Sequence, residues 1–62
     1  MLYACIVYSN DYEECCSYGF INHHELKKLK NDAMMLNRQG YKVSIEVYDK
    51  DILVYSLKLN HI

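Results

Sequence analysis

One segment of this 62-residue chain has the signals of an amphipathic helix, and the rest is strand-like or polar. Asn22 is a residue type that accepts hydrogen bonds from first-turn amides, and Glu25 follows three residues later, as in a capping box. Gly40 occupies the position where helices commonly end with a residue in the left-handed conformation. These signals predict a single helix over residues 23–39.

The helical period divides this segment into an apolar side and a polar side. The apolar residues recur three and four positions apart and predict a buried stripe of Leu26, Leu29, Ala33 and Leu36. The polar side is expected to face water with His24, Lys27, Lys28 and Met35. A chain of this length removes only about 60% of its unfolded-state surface from water, so the core beneath the stripe must be small.

Three apolar runs predict strands, at residues 2–8, 41–48 and 52–59. The last two are expected to form a hairpin with a three-residue loop, residues 49–51, ending in Asp51 with positive φ. This register gathers apolar residues on one face by placing Val47 opposite Leu53, Ile45 opposite Tyr55, Val43 opposite Leu57 and Tyr41 opposite Leu59.

The order strand, helix, strand, strand predicts an α+β fold, a small βαββ domain that includes all of residues 1–62. The third predicted strand is the most apolar and is expected in the middle. This gives a three-stranded sheet of order 1-3-2 with the helix packed on one face and the first strand parallel to the second. The alternative places the first strand beside the second.

One helix covers only one side of such a sheet, yet the other side is not uniformly polar. It would carry Tyr48, Ile52 and Val54, with either Tyr3, Cys5 and Val7 or Leu2, Ala4, Ile6 and Tyr8 from the first strand. Exposed apolar patches and tyrosines are typical of association surfaces, and the chain has seven tyrosines. We expect a protein-binding face, occupied in a homodimer or by another protein, unless residues 9–20 fold over it as a loop.

That predicted loop contains acidic residues beside an aromatic residue. Asp11, Tyr12, Glu13 and Glu14 together suit a basic protein surface, since charge accelerates association and aromatic contact prolongs it. These four residues complete the predicted partner-binding set.

The charge pattern leaves nucleic acid as an alternative partner. The net charge is −1, so no overall basic field attracts phosphates. The predicted helix nevertheless concentrates His24, Lys27, Lys28 and Arg38, which would give a weak and salt-sensitive contact.

Three cysteines, Cys5, Cys15 and Cys16, favour free thiols in a reducing cytoplasm, since the number is odd and two are adjacent. Cys15 and Cys16 with His23 and His24 define a second alternative, a thiol or metal sensor. Adjacent residues lack the usual ligand spacing, and no catalytic motif accompanies them. We therefore expect no metal, no cofactor and no enzymatic activity.

No apolar run approaches the roughly 20 residues of a membrane-spanning helix, and the first residues lack the basic region of a signal peptide, so a cytoplasmic location is expected. In size, missing motifs and interface-like composition the chain resembles the short proteins of phages and mobile elements, including anti-CRISPR proteins. This resemblance implies an inhibitor that binds a host protein or nucleoprotein, and it assigns no site residue.

Overall fold

The computed structural model describes residues 1–60 and contains four strands, one helix and a short 3-10 turn. In chain order these are β1 (Leu2–Ser9), β2 (Glu14–Ile21), the 3-10 turn His23–Glu25, α1 (Leu26–Arg38), β3 (Lys42–Asp49) and β4 (Ile52–Leu59). No helix within the described residues is long and apolar enough to cross a membrane.

The four strands form one sheet of order β2-β1-β3-β4, in which every neighbouring pair is antiparallel. The predicted three-stranded βαββ fold of order 1-3-2 is therefore wrong. The segment taken for a loop contributes β2, which pairs with β1 along its whole length.

The additional strand also explains the wrong strand direction. The first strand was expected to run parallel to the strand after the helix, but β1 pairs antiparallel with β3. Because β2 reverses the chain before α1 begins, the helix connects β2 to β3, and these two strands run in the same direction with β1 between them.

The β3–β4 hairpin has a two-residue turn, Lys50 and Asp51, so the predicted three-residue loop is wrong. The residue with positive φ is Lys50, at 57°, and not Asp51. Two-residue turns are the commonest hairpin connection. The strands begin with Asp49 opposite Ile52 and Tyr48 opposite Leu53.

An irregularity between Val47 and Tyr48 then absorbs one residue of β4, Val54. Beyond it the observed pairs are Val47 with Tyr55, Ile45 with Leu57 and Val43 with Leu59, two residues away from the predicted register. The bulge adds one residue to β4 and so restores the alternation of apolar residues that a two-residue turn would otherwise have broken. The six residues of these three pairs therefore still share one face of the sheet. Leu53 instead moves to the opposite face with Tyr48.

The core lies between α1 and the two central strands. Its fully buried members are Leu2, Ala4, Ala33, Val43, Ile45 and Val47. β3, rather than the predicted third strand, is the most deeply buried strand, because it is central and lies under the helix. β4 lies at the edge and contributes half-buried residues, including Leu57 and Leu59.

The buried stripe of the predicted helix is confirmed, but the helix is shorter than residues 23–39, because residues 23–25 form the 3-10 turn and α1 ends at Arg38. Ala33 is buried, and Leu26, Leu29 and Leu36 pack against the core. At the N-terminus the Asn22 side chain makes no capping hydrogen bond; the main-chain carbonyl of Asn22 accepts from the Glu25 amide at 3.0 Å.

The C-terminus of the helix is a Schellman motif. The Tyr41 amide donates to the Leu36 carbonyl and the Gly40 amide donates to the Asn37 carbonyl, both at 3.1 Å. Gly40 has φ of 101°, which only glycine adopts without strain.

We expect Gly40→Ala to lower the free energy of unfolding by about 1–2 kcal/mol, because alanine is strained at this φ. Gly19→Ala is the matched control, since a Cβ at Gly19 would meet nothing within 4 Å. This control should be neutral or stabilise the protein slightly, because alanine loses less backbone entropy than glycine in a strand. Urea unfolding monitored by circular dichroism measures both changes, and equal effects would contradict the assigned helix end.

Candidate protein-binding face

The side of the sheet that faces away from α1, here called the open face, is fixed by the alternation of β1. Leu2 and Ala4 point to the core, so Tyr3, Cys5 and Val7 point away from the helix. The sequence left two sets of β1 residues open, and the structure selects the set that includes Tyr3, Cys5 and Val7.

The strand register aligns one residue from each strand in a row across the open face. Tyr3 lies opposite Phe20 on one side and Tyr48 on the other, and Tyr48 lies opposite Leu53. The four residues Phe20, Tyr3, Tyr48 and Leu53 are called the apolar row below. Phe20 is 69% exposed, Leu53 48% and Tyr3 37%, so the row offers apolar surface across the full width of the sheet.

Contacts with neighbouring side chains hold the aromatic residues of the apolar row in place. The rings of Tyr3 and Phe20 meet edge to face, with centroids 5.2 Å apart and planes at 71°. The Tyr48 hydroxyl donates to Glu46 Oε1 at 3.3 Å, and the Glu46 charge raises the pKa of Tyr48, as do partial burial and this hydrogen bond. Tyr48 therefore remains a neutral residue with an apolar ring at any physiological pH.

The open face becomes polar with distance from the apolar row. The next row contains Tyr18, Cys5, Glu46 and Ser56, and the third contains Cys16, Val7, Ser44 and Lys58. The last row contains Glu14, Ser9 and Lys42. Apart from Glu46, which lies beside the apolar row, the charged residues of this face are at the end farthest from that row.

The expected partner-binding residues of the sheet lie close to this row. Tyr48 belongs to it, and Cys5 and Val7 continue the open face along β1. Val54, 50% exposed, is the bulged residue next to Leu53. Ile52, 68% exposed, pairs with Asp49 and points to the helix side of the sheet, so its expected place on the open face is wrong.

The sequence-based prediction missed Phe20, Tyr18 and Leu53. The first two were missed because β2 was taken for a loop; the alternation of Cys16, Tyr18 and Phe20 was the signal that could have revealed it. Leu53 was missed because a bulge is not visible in the hydrophobic pattern.

Residues 9–20 do not fold over the open face. Most of this segment lies within the sheet as β2, beside β1. Tyr18 is 61% exposed there, so the segment enlarges the uncovered face from three strands to four.

The acidic residues lie in the tight turn between β1 and β2, and Glu14 already belongs to β2. The Asn10 side-chain oxygen accepts from the Tyr12 and Glu13 amides, both at 2.9 Å. The Tyr41 hydroxyl donates to Glu13 Oε1 at 2.7 Å, which ties the turn to the segment after α1. Asp11 is exposed and Tyr12 is 93% exposed.

The turn and the apolar row are at opposite ends of the sheet. Tyr3 is in the row and Ser9 precedes the turn, and six residues of strand span about 20 Å. The structure therefore separates the expected partner-binding residues into two surfaces.

The basic residues lie on the helix side, away from the open face. His24, Lys27, Lys28 and Arg38 are all exposed, and His24 is in the 3-10 turn. Lys27 and Arg38 are eleven residues apart, which separates them by about 16 Å along the axis. With so few cations, any nucleic-acid contact would be weak.

Cys15 and Cys16 point to opposite faces of the sheet. Cys15 pairs with Tyr8 on the helix side, and Cys16 pairs with Val7 on the open face. Their sulfur atoms therefore cannot bind one ion together in this conformation. Among the residues that the structure describes, no three His, Cys, Asp or Glu side chains are grouped so that they could hold a metal ion.

The described clefts do not coincide with the apolar row. One of about 340 Å³ lies between the β1–β2 turn and the segment after α1, and its lining includes Asn10, Asp11 and Gly40. Another of about 260 Å³ lies between α1 and the sheet. Its lining includes Ser17 of β2, whose small side chain fills little of this space.

Comparisons of this chain with models of known protein families, with curated proteins and with solved structures give no significant match. The function is therefore inferred from the geometry of the chain itself.

We expect Tyr41 to ionise above pH 10, because its hydrogen bond to the Glu13 carboxylate, followed by partial burial and the carboxylate charge, raises its pKa. The folded state then holds this proton more tightly than the unfolded state, so the contribution to stability is present below pH 10 and is lost as the pH rises further. Glu13→Gln should return the pKa of Tyr41 toward 10.

The measurement is an NMR pH titration with ¹³Cζ-labelled tyrosine, in which Tyr41→Phe identifies the signal. Tyr48 is the control, because its pKa is raised chiefly by Glu46 and should not respond to Glu13→Gln. A Tyr41 pKa that is the same in both proteins would contradict the contact.

Proposed function

We propose that this chain is a non-enzymatic protein-binding module whose contact surface is the open face, with the apolar row at its centre. The apolar row is the single observation that carries the proposal. Its residues extend across all four strands, and Phe20 is two-thirds exposed. Exposed contiguous apolar surface is typical of association sites, where Tyr and Phe are enriched.

The total surface of the chain supports an uncovered face. A monomeric protein of 7.4 kDa is expected to expose about 4,200 Å². This chain exposes 4773 Å², which is roughly 600 Å² more. One face of a four-stranded sheet with eight-residue strands measures roughly 500 Å², and leaving it uncovered contributes to this excess.

The chemistry of the row favours binding over catalysis. Phe20 and Leu53 have no group that transfers protons or attacks an electrophile. The Glu46 charge raises the pKa of the Tyr48 hydroxyl, which makes this hydroxyl a weaker acid. These side chains supply apolar area and ring edges, which suit contact with another protein surface.

The matched test uses two double variants of the tagged protein as baits in a lysate of the organism that encodes the chain. Phe20→Thr with Leu53→Thr removes apolar area from the row with strand-forming residues. Met34→Gln with Met35→Gln is the control, because both methionines are exposed on α1 and Gln is a good helix former. Thermal unfolding confirms that each variant is folded.

We expect at least one protein whose recovery, quantified by mass spectrometry, falls about tenfold with the row variant and stays within about twofold with the control. If no recovered protein, the untagged chain itself included, depends on the row, and self-association does not depend on it either, the proposal is wrong. Nucleic acid recovered by the bait and lost in Lys27→Ala with Lys28→Ala would favour the basic helix instead.

A further inference from the structure

We infer that the partner of the open face is a second copy of this chain, packed face to face about a two-fold axis that runs parallel to the strands. The inference rests on the proposed function, because it uses the same face, and it names the occupant. Two sheets joined in this way form a sandwich, with one helix on each outer side.

The position of the apolar row selects the axis. A two-fold axis across the strands would place the apolar row of one copy over the charged row of the other. An axis along the strands keeps every row at its own level, so the apolar rows meet each other. Phe20 then lies opposite the second copy's Leu53, and Tyr3 lies opposite the second copy's Tyr48.

Charge complementarity supports the same axis. An axis parallel to the strands places β2 over β4 of the other copy and β1 over β3. The exposed residues of β2 at the charged end include Glu14, whereas the corresponding ends of β3 and β4 carry Lys42 and Lys58. At this end of the interface, the Glu14 carboxylate of each copy therefore lies near the Lys42 and Lys58 ammonium groups of the other copy.

The available area sets the strength of the dimer. Two faces of roughly 500 Å² each bury about 1,000 Å² in total, which is at the lower limit for specific interfaces. A dimer of this size is expected to dissociate in the micromolar range, and its formation should depend on concentration.

Sedimentation equilibrium from about 5 to 500 µM tests the assembly on the full chain. The weight-average mass should rise from 7.4 kDa toward twice that value. Leu53→Lys should weaken dimerisation by at least about tenfold, because it buries a charge in the apolar row. Met35→Lys on the outer surface of α1 is the matched control and should leave the dissociation constant within about twofold.

A charge exchange tests the axis. Glu14→Lys and Lys58→Glu should each weaken the dimer about threefold or more, because each places like charges together. The double variant should bind more tightly than either single variant, because the pair between positions 14 and 58 is again of opposite sign; recovery is partial, since Lys42 then faces a lysine at position 14. Within one chain β2 and β4 are the two edges of the sheet, about 14 Å apart, so this recovery reports a contact between copies.

Three results would overturn the inference. The first is a monomer at every concentration. The second is a dimer that Leu53→Lys leaves intact, which would be joined through another surface such as the free edge of β2. The third is a charge exchange in which the double variant binds no better than the single variants.

The failure of this inference can be told from the failure of the proposed function. If the chain stays monomeric but another protein binds through the apolar row, the proposed function holds and the inference of a second copy is wrong. If neither self-association nor the recovery of any protein depends on the row, the proposed function is wrong as well.

Discussion

The whole structure depends on the fact that one helix can cover only one face of the sheet. α1 packs over the central strands and buries Val43, Ile45 and Val47 of β3 with Leu2 and Ala4 of β1. Since alternate residues of a strand point to opposite faces, this burial determines which side chains remain in water. Tyr3 and Tyr48 belong to the open face because their sequence neighbours belong to the core.

The sequence predicted the helix well, because its signals are local. The stripe from Leu26 to Leu36 and the terminal Gly40 need no knowledge of the rest of the chain. β2 was not predicted, since it is a half-exposed edge strand whose Cys15, Cys16 and Ser17 resemble a polar loop. The hairpin register was also wrong, because a two-residue turn with a bulge satisfies the hydrophobic pattern as well as a three-residue loop does.

The candidate site was partly predictable for the same reason. Composition and the alternation of residues along the strands show that the uncovered face carries more apolar residues than one helix can bury. This pattern predicted Tyr3, Cys5, Val7 and Tyr48. The alignment of Tyr3 with Phe20 and Leu53 depends on pairing between distant segments, which a single sequence does not reveal. The apolar row, and its separation from the β1–β2 turn, therefore became visible only in the structure.

The central claim is that the apolar row is buried against the row of a second copy. The most direct measurement is an isotope-filtered NMR experiment on a mixture of labelled and unlabelled protein at high concentration. The account predicts intermolecular nuclear Overhauser effects between the Phe20 ring of one copy and the Leu53 methyl groups of the other. Intermolecular effects that involve only α1 or the β2 edge, or none from the open face, would contradict it.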